Sequence, residues 1–233
     1  MAKRPVYFIA SQENLLVDHK LVDFLWHPGM ASVQKQKSIK ELHQSALESG
    51  VCSNPLEISS KSEIELGVRL SAFNLTIKTI SNDKEFTVET AFQSSKVFQN
   101  GGPYTELLFG TSRAAKKDPR LKTSGNLTHF KFKQTEWPLE PKTAFYDWLY
   151  INALKLSPWL IDELSEYDGF TDIEFNPKKS INCQAYSVTL FLALQKRGLL
   201  DDALKDKDTF LSLLSNFSSK NTYEDNTSQA KLL

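Results

Sequence analysis

Thr87-Val88-Glu89-Thr90-Ala91-Phe92-Gln93-Ser94-Ser95-Lys96-Val97-Phe98 sets one carboxylate and two polar partners into an otherwise apolar stretch. Read as a helix over 86–99, it puts Glu89, Gln93 and Lys96 three or four residues apart on one flank, while Val88, Ala91, Phe92 and Phe98 turn toward a core. Thr87 is the expected N-cap. Glu89 then falls in the first turn, where the helix dipole favours a negative charge. An ordinary exposed helix shows the same order of Glu and Lys, so the pattern alone leaves a site and a solvated face both open.

Upstream, residues 6–9, 15–17 and 21–26 have the β-branched and aromatic content of short strands, with Asp18-His19-Lys20 as the turn between the last two and Pro28-Gly29 as the stop. Over 32–48 the spacing of Val33, Ile39, Leu42 and Ala46 predicts an amphipathic helix that ends at Gly50 and exposes Lys35, Lys37 and Lys40. Ser62-Glu63-Ile64-Glu65 has the form of a capping box, so a short helix is expected from there toward Arg69. Ser59, Ser60 and Lys61 then sit in the loop before a helix N-terminus, where free N–H groups and a cation suit a phosphate; the plain alternative is that Ser62 only caps a helix and Lys61 is solvated.

Downstream, Asn100-Gly101-Gly102-Pro103 stops the central helix. The basic run Arg113-Ala114-Ala115-Lys116-Lys117-Asp118-Pro119-Arg120 reads either as a phosphate clamp or as a solvated helix end. A strand over 127–132, helices over 143–154, 156–167 and 181–196, a short extended piece at 173–175 entered by Asp172, and an apolar closing turn at 210–214 complete the chain. Tyr146, Trp148 and Tyr150 suit either a purine stack or the core. Lys178, Lys179 and Ser180, beside the helix beginning near Asn182, form a second candidate anion site. These readings predict an α+β fold with a helical majority and a small sheet.

With 233 residues the chain can bury a sizeable core, and a single domain with a modest N-terminal extension is expected: an extension over 1–55, a main domain over 56–217 and a flexible polar tail over 218–233. A formal net charge of +0 argues against gripping long stretches of nucleic acid, because that affinity comes from releasing many counterions. Cys52 and Cys183 make neither a zinc cluster nor a disulfide framework, and no metal or cofactor is expected. The apolar run near the N-terminus is too short for a signal or a membrane span, so the expectation is a soluble, cytoplasmic protein with no membrane partner. Patterns for a dinucleotide loop, a P-loop or a zinc-hydrolase helix do not occur.

The order Glu89, Phe92, Gln93, Lys96, Phe98 resembles the NADAR family, which carries a short Glu-x-x-Phe-Gln-x-x-Lys-x-Phe motif and acts on N-linked ribosides and ADP-ribose. Glu57-Ile58-Ser59-Ser60-Lys61-Ser62 and Leu70-Ser71-Ala72-Phe73-Asn74 are similar to the family's opening segments, and Ser180-Ile181-Asn182-Cys183-Gln184-Ala185 to its closing one. Over roughly residues 3 to 216 the chain is most similar to the branch encoded beside DarT-type toxins, which attach ADP-ribose to DNA bases; the NADAR partner is an antitoxin that removes it from guanine. Better-known members carry an Asp-Trp pair before the closing Asn. Here that region reads Asn176-Pro177-Lys178-Lys179, with Asp172 and Glu174 as the nearest acids.

The resemblance implies an N-glycosidic hydrolase acting on ADP-ribosylated guanine in DNA, with RNA or a free nucleotide as other carriers and a DarT-type toxin as the linked partner. Such cleavage builds positive charge on the sugar. It implies Glu89 as the catalytic anion and Asp172 as the second acid. Ser59, Lys61 and Lys116 are expected to hold the diphosphate, and Asn74, Gln93, Lys96 and Asn182 to place the ribose or base. Two other activities stand beside it: hydrolysis of phosphorylated ribosides of the riboflavin pathway, and an antitoxin that only binds ADP-ribose.

Overall fold

A hairpin of two eight-residue strands opens the computed structural model, which describes residues 1–78, 84–177 and 180–217. Strands β1 (Ala2–Ile9) and β2 (Val17–Phe24) pair antiparallel along their whole length, from Ala2 opposite Phe24 to Ile9 opposite Val17. Asp18, His19 and Lys20, expected as a turn, therefore lie within β2, facing Phe8, Tyr7 and Val6. β2 is an edge strand, so polar side chains on its outer positions stay hydrated while Val22 and Phe24 are buried. The polar link Ser11-Gln12-Glu13-Asn14 makes the bend instead.

After α1 (Ser32–Glu48), which matches the expected helix and ends before Gly50 at φ +63°, come β3 (Pro55–Glu57), α2 (Glu65–Arg69), β4 (Thr76–Lys78), β5 (Glu85–Thr87), α3 (Val88–Ser94) and β6 (Lys96–Phe98). A 3-10 turn (Thr105–Phe109), α4 (Ser112–Lys117), α5 (Arg120–Thr123), β7 (Leu127–Phe132), β8 (Thr135–Trp137), α6 (Ala144–Lys155) and α7 (Pro158–Leu164) follow. The last elements are β9 (Gly169–Thr171), α8 (Gln184–Lys196), α9 (Leu200–Ala203) and α10 (Lys207–Asn216). Three sheets form rather than one small one: β2-β1-β9-β3, β4-β5 and β6-β7-β8. The fold is mixed α+β. Among the described residues no helix is long and apolar enough to cross a membrane.

The helix expected over 86–99 is divided. Thr87 caps it as expected, accepting from Thr90 N–H at 3.1 Å, but Ser94 and Ser95 both turn their hydroxyls back onto the Ala91 carbonyl, at 3.1 and 2.6 Å. Such bonding competes with the helix's own ladder, and the β-branched Val97 then joins a strand opposite β7. Lys96 thus leaves the helix and opens β6. The capping box at Ser62 does not form either: its Oγ accepts from Ile64 N–H in a local turn, and α2 starts only at Glu65. Residues 173–175 form a turn rather than an extended piece, because Asp172 Oδ1 draws in the N–H groups of Glu174 and Phe175. Lys178, Lys179 and the stretch from Ser218 onward lie outside the described residues.

Two apolar clusters organise these elements. The larger runs through α3, α6 and α8, with Phe92 5.3 Å from Phe130 and Phe145 4.8 Å from Phe130 and 5.5 Å from Trp137, ring centre to ring centre. The smaller packs Ile39, Leu42 and Ala46 of α1 on Val6, Val22, Phe24, Cys52 and Ile173. The four-stranded sheet draws on both sides of residue 55: β3 runs parallel to β9, Pro55 opposite Gly169 and Glu57 opposite Thr171. That register delivers Glu57 and Asp172 to the same end of the sheet.

Candidate active site

All seven residues of α3 are buried, which is unusual for a helix that carries an acid in its first turn. Its start is held by a shelf of backbone: Val88 N–H donates to Leu75 O (3.0 Å) and Glu89 N–H to Ala72 O (2.9 Å). Glu89 is 4 % exposed. Gln93 Nε2 donates to its Oε1 at 2.9 Å, one helical turn on, and Lys116 Nζ of α4 stands 3.8 Å from the same oxygen. Lys116 is half exposed and also lies 5.0 Å from the Phe73 ring centre, so it reaches the acid from the solvent side.

Lys96, although on a strand, joins this group. Its side chain is fully buried with Nζ 4.7 Å from the Phe92 ring centre. Burial pulls its ammonium down to about 7; the Glu89 charge opposes that shift and the Lys116 charge adds to it. Lys96 Nζ, Gln93 Oε1 and Asn182 Oδ1 are sequestered from solvent with no hydrogen-bond partner among the described residues. Tyr146 packs edge-on against Phe92, and its hydroxyl is pushed well up by burial and then by the Glu89 charge. Tyr146 and Tyr150 belong to the core, Tyr150 donating its hydroxyl to Leu70 O.

Asp172 is buried behind the shelf. Oδ1 accepts from the N–H groups of Glu174 (3.1 Å) and Phe175 (3.2 Å), and Oδ2 from Gln184 N–H (3.3 Å) and Gln184 Nε2 (3.1 Å). Burial nonetheless pushes its carboxyl up. Glu57 shares the direction, raised first by burial and then by the Asp172 charge, while Thr171 Oγ1 (2.6 Å) and Ile173 N–H (2.8 Å) donate to it. Two carboxylates this close and this dry disfavour carrying two full charges.

The other expected residues are placed differently. Ser59 is buried, bonded to Glu57 and accepting from Lys61 N–H at 3.1 Å. Lys61 Nζ reaches Ser32 Oγ at 3.4 Å, and the exposed Asn74 donates its amide to Val68 O at 2.8 Å. Lys35 and Lys40, expected on an open face, pair with Glu174 (3.3 Å) and Glu63 (3.0 Å). Arg120 of the basic run is held by Asp118 and Glu106. Sequence reasoning passed over Gln184 and Glu57 as chemistry. Their signal was a polar side chain at the head of an apolar helix and another in an apolar strand.

Among the described residues no group of three or more His, Cys, Asp or Glu is placed to hold a metal ion. Among curated proteins none matches the chain. A family model described as DarT1-associated NADAR antitoxin matches residues 2–224, from β1 to beyond α10, and the chain belongs to this family of antitoxins.

Proposed function

We propose that the protein is a glycohydrolase that removes ADP-ribose from guanine in DNA and in this way reverses the action of a DarT-type toxin. The observation that carries the reading is the group around Glu89: a buried carboxylate flanked by Gln93 Oε1 and Lys96 Nζ, neither of which has a partner among the described residues. A buried polar atom left without a partner costs about 1–3 kcal/mol, so a pair of them beside an acid is what a site awaiting a polar ligand carries.

In this reading water adds to C1 of the ribose while the bond from C1 to the guanine nitrogen breaks, leaving ADP-ribose with a new hydroxyl and guanine with a proton. The sugar passes through a cation-like state, and Glu89, 4 % exposed, stabilises it in surroundings that screen little. Lys96, whose ammonium gives up its proton near 7, is suited to donate toward the departing base. Gln93 orients the Glu89 carboxylate and offers its free carbonyl to a sugar hydroxyl. Lys116 at the solvent side is assigned to the diphosphate, and Asn182 to the base. A net charge of +0 suits an enzyme that takes one extruded adduct and touches few flanking phosphates.

The test is incubation of wild-type protein and Glu89→Gln with oligonucleotides ADP-ribosylated on guanine or on thymine, followed by mass analysis. Wild type should release intact ADP-ribose from guanine and spare thymine. Glu89→Gln should fold normally and lose at least about a hundredfold in rate, the scale of removing one transition-state contact. Binding without release by wild type, or full cellular protection by Glu89→Gln, sinks the proposal in favour of a binder.

A further inference from the structure

Asp172 was expected as the second acid of the site, yet an ionised carboxylate has about four lone-pair sites and here four N–H donors address them, two on each oxygen. No acceptor capacity is left for a water or a sugar hydroxyl. What Asp172 does hold is Gln184. With its Nε2 fixed on Asp172 Oδ2, Gln184 turns Oε1 to the Ala72 N–H at 2.5 Å, bridging positions 112 apart in sequence. The carbonyl of the same residue, in the next peptide group, accepts from Glu89 N–H at 2.9 Å. A path therefore runs from Asp172 through Gln184 to Ala72 N–H and, across the Ala72 Cα, from its carbonyl to the backbone of the acid. The shelf is pinned at neighbouring points as well: Tyr150 holds Leu70 O, and Ser112 Oγ donates to Phe73 O at 3.0 Å.

We infer that Gln184 is a positioning residue: anchored by Asp172, it fixes the backbone at Ala72 and so sets where the Glu89 carboxylate stands relative to the reacting carbon. The inference rests on Glu89 as the working acid. It gives Asp172 the part of an anchor in place of proton transfer. Gln184 differs from Tyr150 and Ser112 in bonding the shelf residue whose carbonyl accepts Glu89 N–H, so its loss displaces the acid while the rest of the shelf stays attached.

Gln184→Met keeps length and bulk and removes both hydrogen bonds. Amide exchange should quicken at Val88 and Glu89 but not within α6, and kcat should fall about a hundredfold with KM within about twofold, the pattern of a reacting group moved by about an ångström. Unchanged exchange at Val88 and Glu89 in Gln184→Met, or a kcat close to wild type, overturns the inference. Should wild-type protein release no ADP-ribose, the reading of function falls by itself, and amide exchange still decides whether Gln184 holds the acid.

Discussion

A lysine sealed from water destabilises the chain that carries it, and Lys96 is retained in a place where burial pulls its ammonium down to about 7. From about pH 7 up to the ordinary lysine range the unfolded chain holds a proton that the folded chain lacks. Stability therefore rises with pH across that window, and the penalty is full below it. Lys96→Met should raise the thermal midpoint by about 5 °C near pH 6.5, with the gain shrinking toward about pH 10, at the roughly 2–4 °C per kcal/mol of a chain this size. The same variant should lose ADP-ribose release. A midpoint unchanged at both pH values would show that the amine is not dehydrated. Glu89, Gln93 and Lys96 were legible together because they come from one short stretch, although as one helix flank; that Lys116 stands beside Glu89 was not, because the sequence offered the basic run only as a phosphate clamp or a solvated helix end. Gln184 was not, because its importance lies in two partners, Ala72 and Asp172, that only the folded chain brings to it.

Elements were legible where one cause fixed them. α1 and β7 follow from apolar spacing alone and lie where the sequence put them. The division of 86–99 into α3 and β6 rests on Ser94 and Ser95 bonding back to Ala91 and on β7 being available to pair, and a helical period cannot register either. The contact of α6 with α8 shows a second cost of burial. Asp147, fully buried, accepts the Ser187 hydroxyl at 2.6 Å, and burial lifts its carboxyl to about 7. Its raised value means the folded chain holds a proton the unfolded chain releases, so stability is fullest at acid pH and drains away as pH rises through about 7. Asp147→Asn should therefore match wild type most nearly near pH 4 and melt higher near pH 8, as thermal denaturation at the two values will read. Equal midpoints near pH 8 would place the charge elsewhere.

At the scale of the molecule, 28 basic and 28 acidic residues cancel, and two lysines expected on an open face, Lys35 and Lys40, are already paired with acids. Contact with flanking phosphates should accordingly be slight. Between about 50 and 200 mM salt, kcat/KM on a modified oligonucleotide should fall by no more than about tenfold, where six or more phosphate contacts would bring a loss of roughly a thousandfold or greater. A steep slope would reveal a basic track that these pairings conceal. The sheet carries one more consequence. β1 meets β2 as soon as both are synthesised, but Tyr7 must wait for Phe170 before its other edge is covered, and the peptide under Glu89 waits for Gln184. A chain released before that point would leave the acid unsupported and a strand edge open.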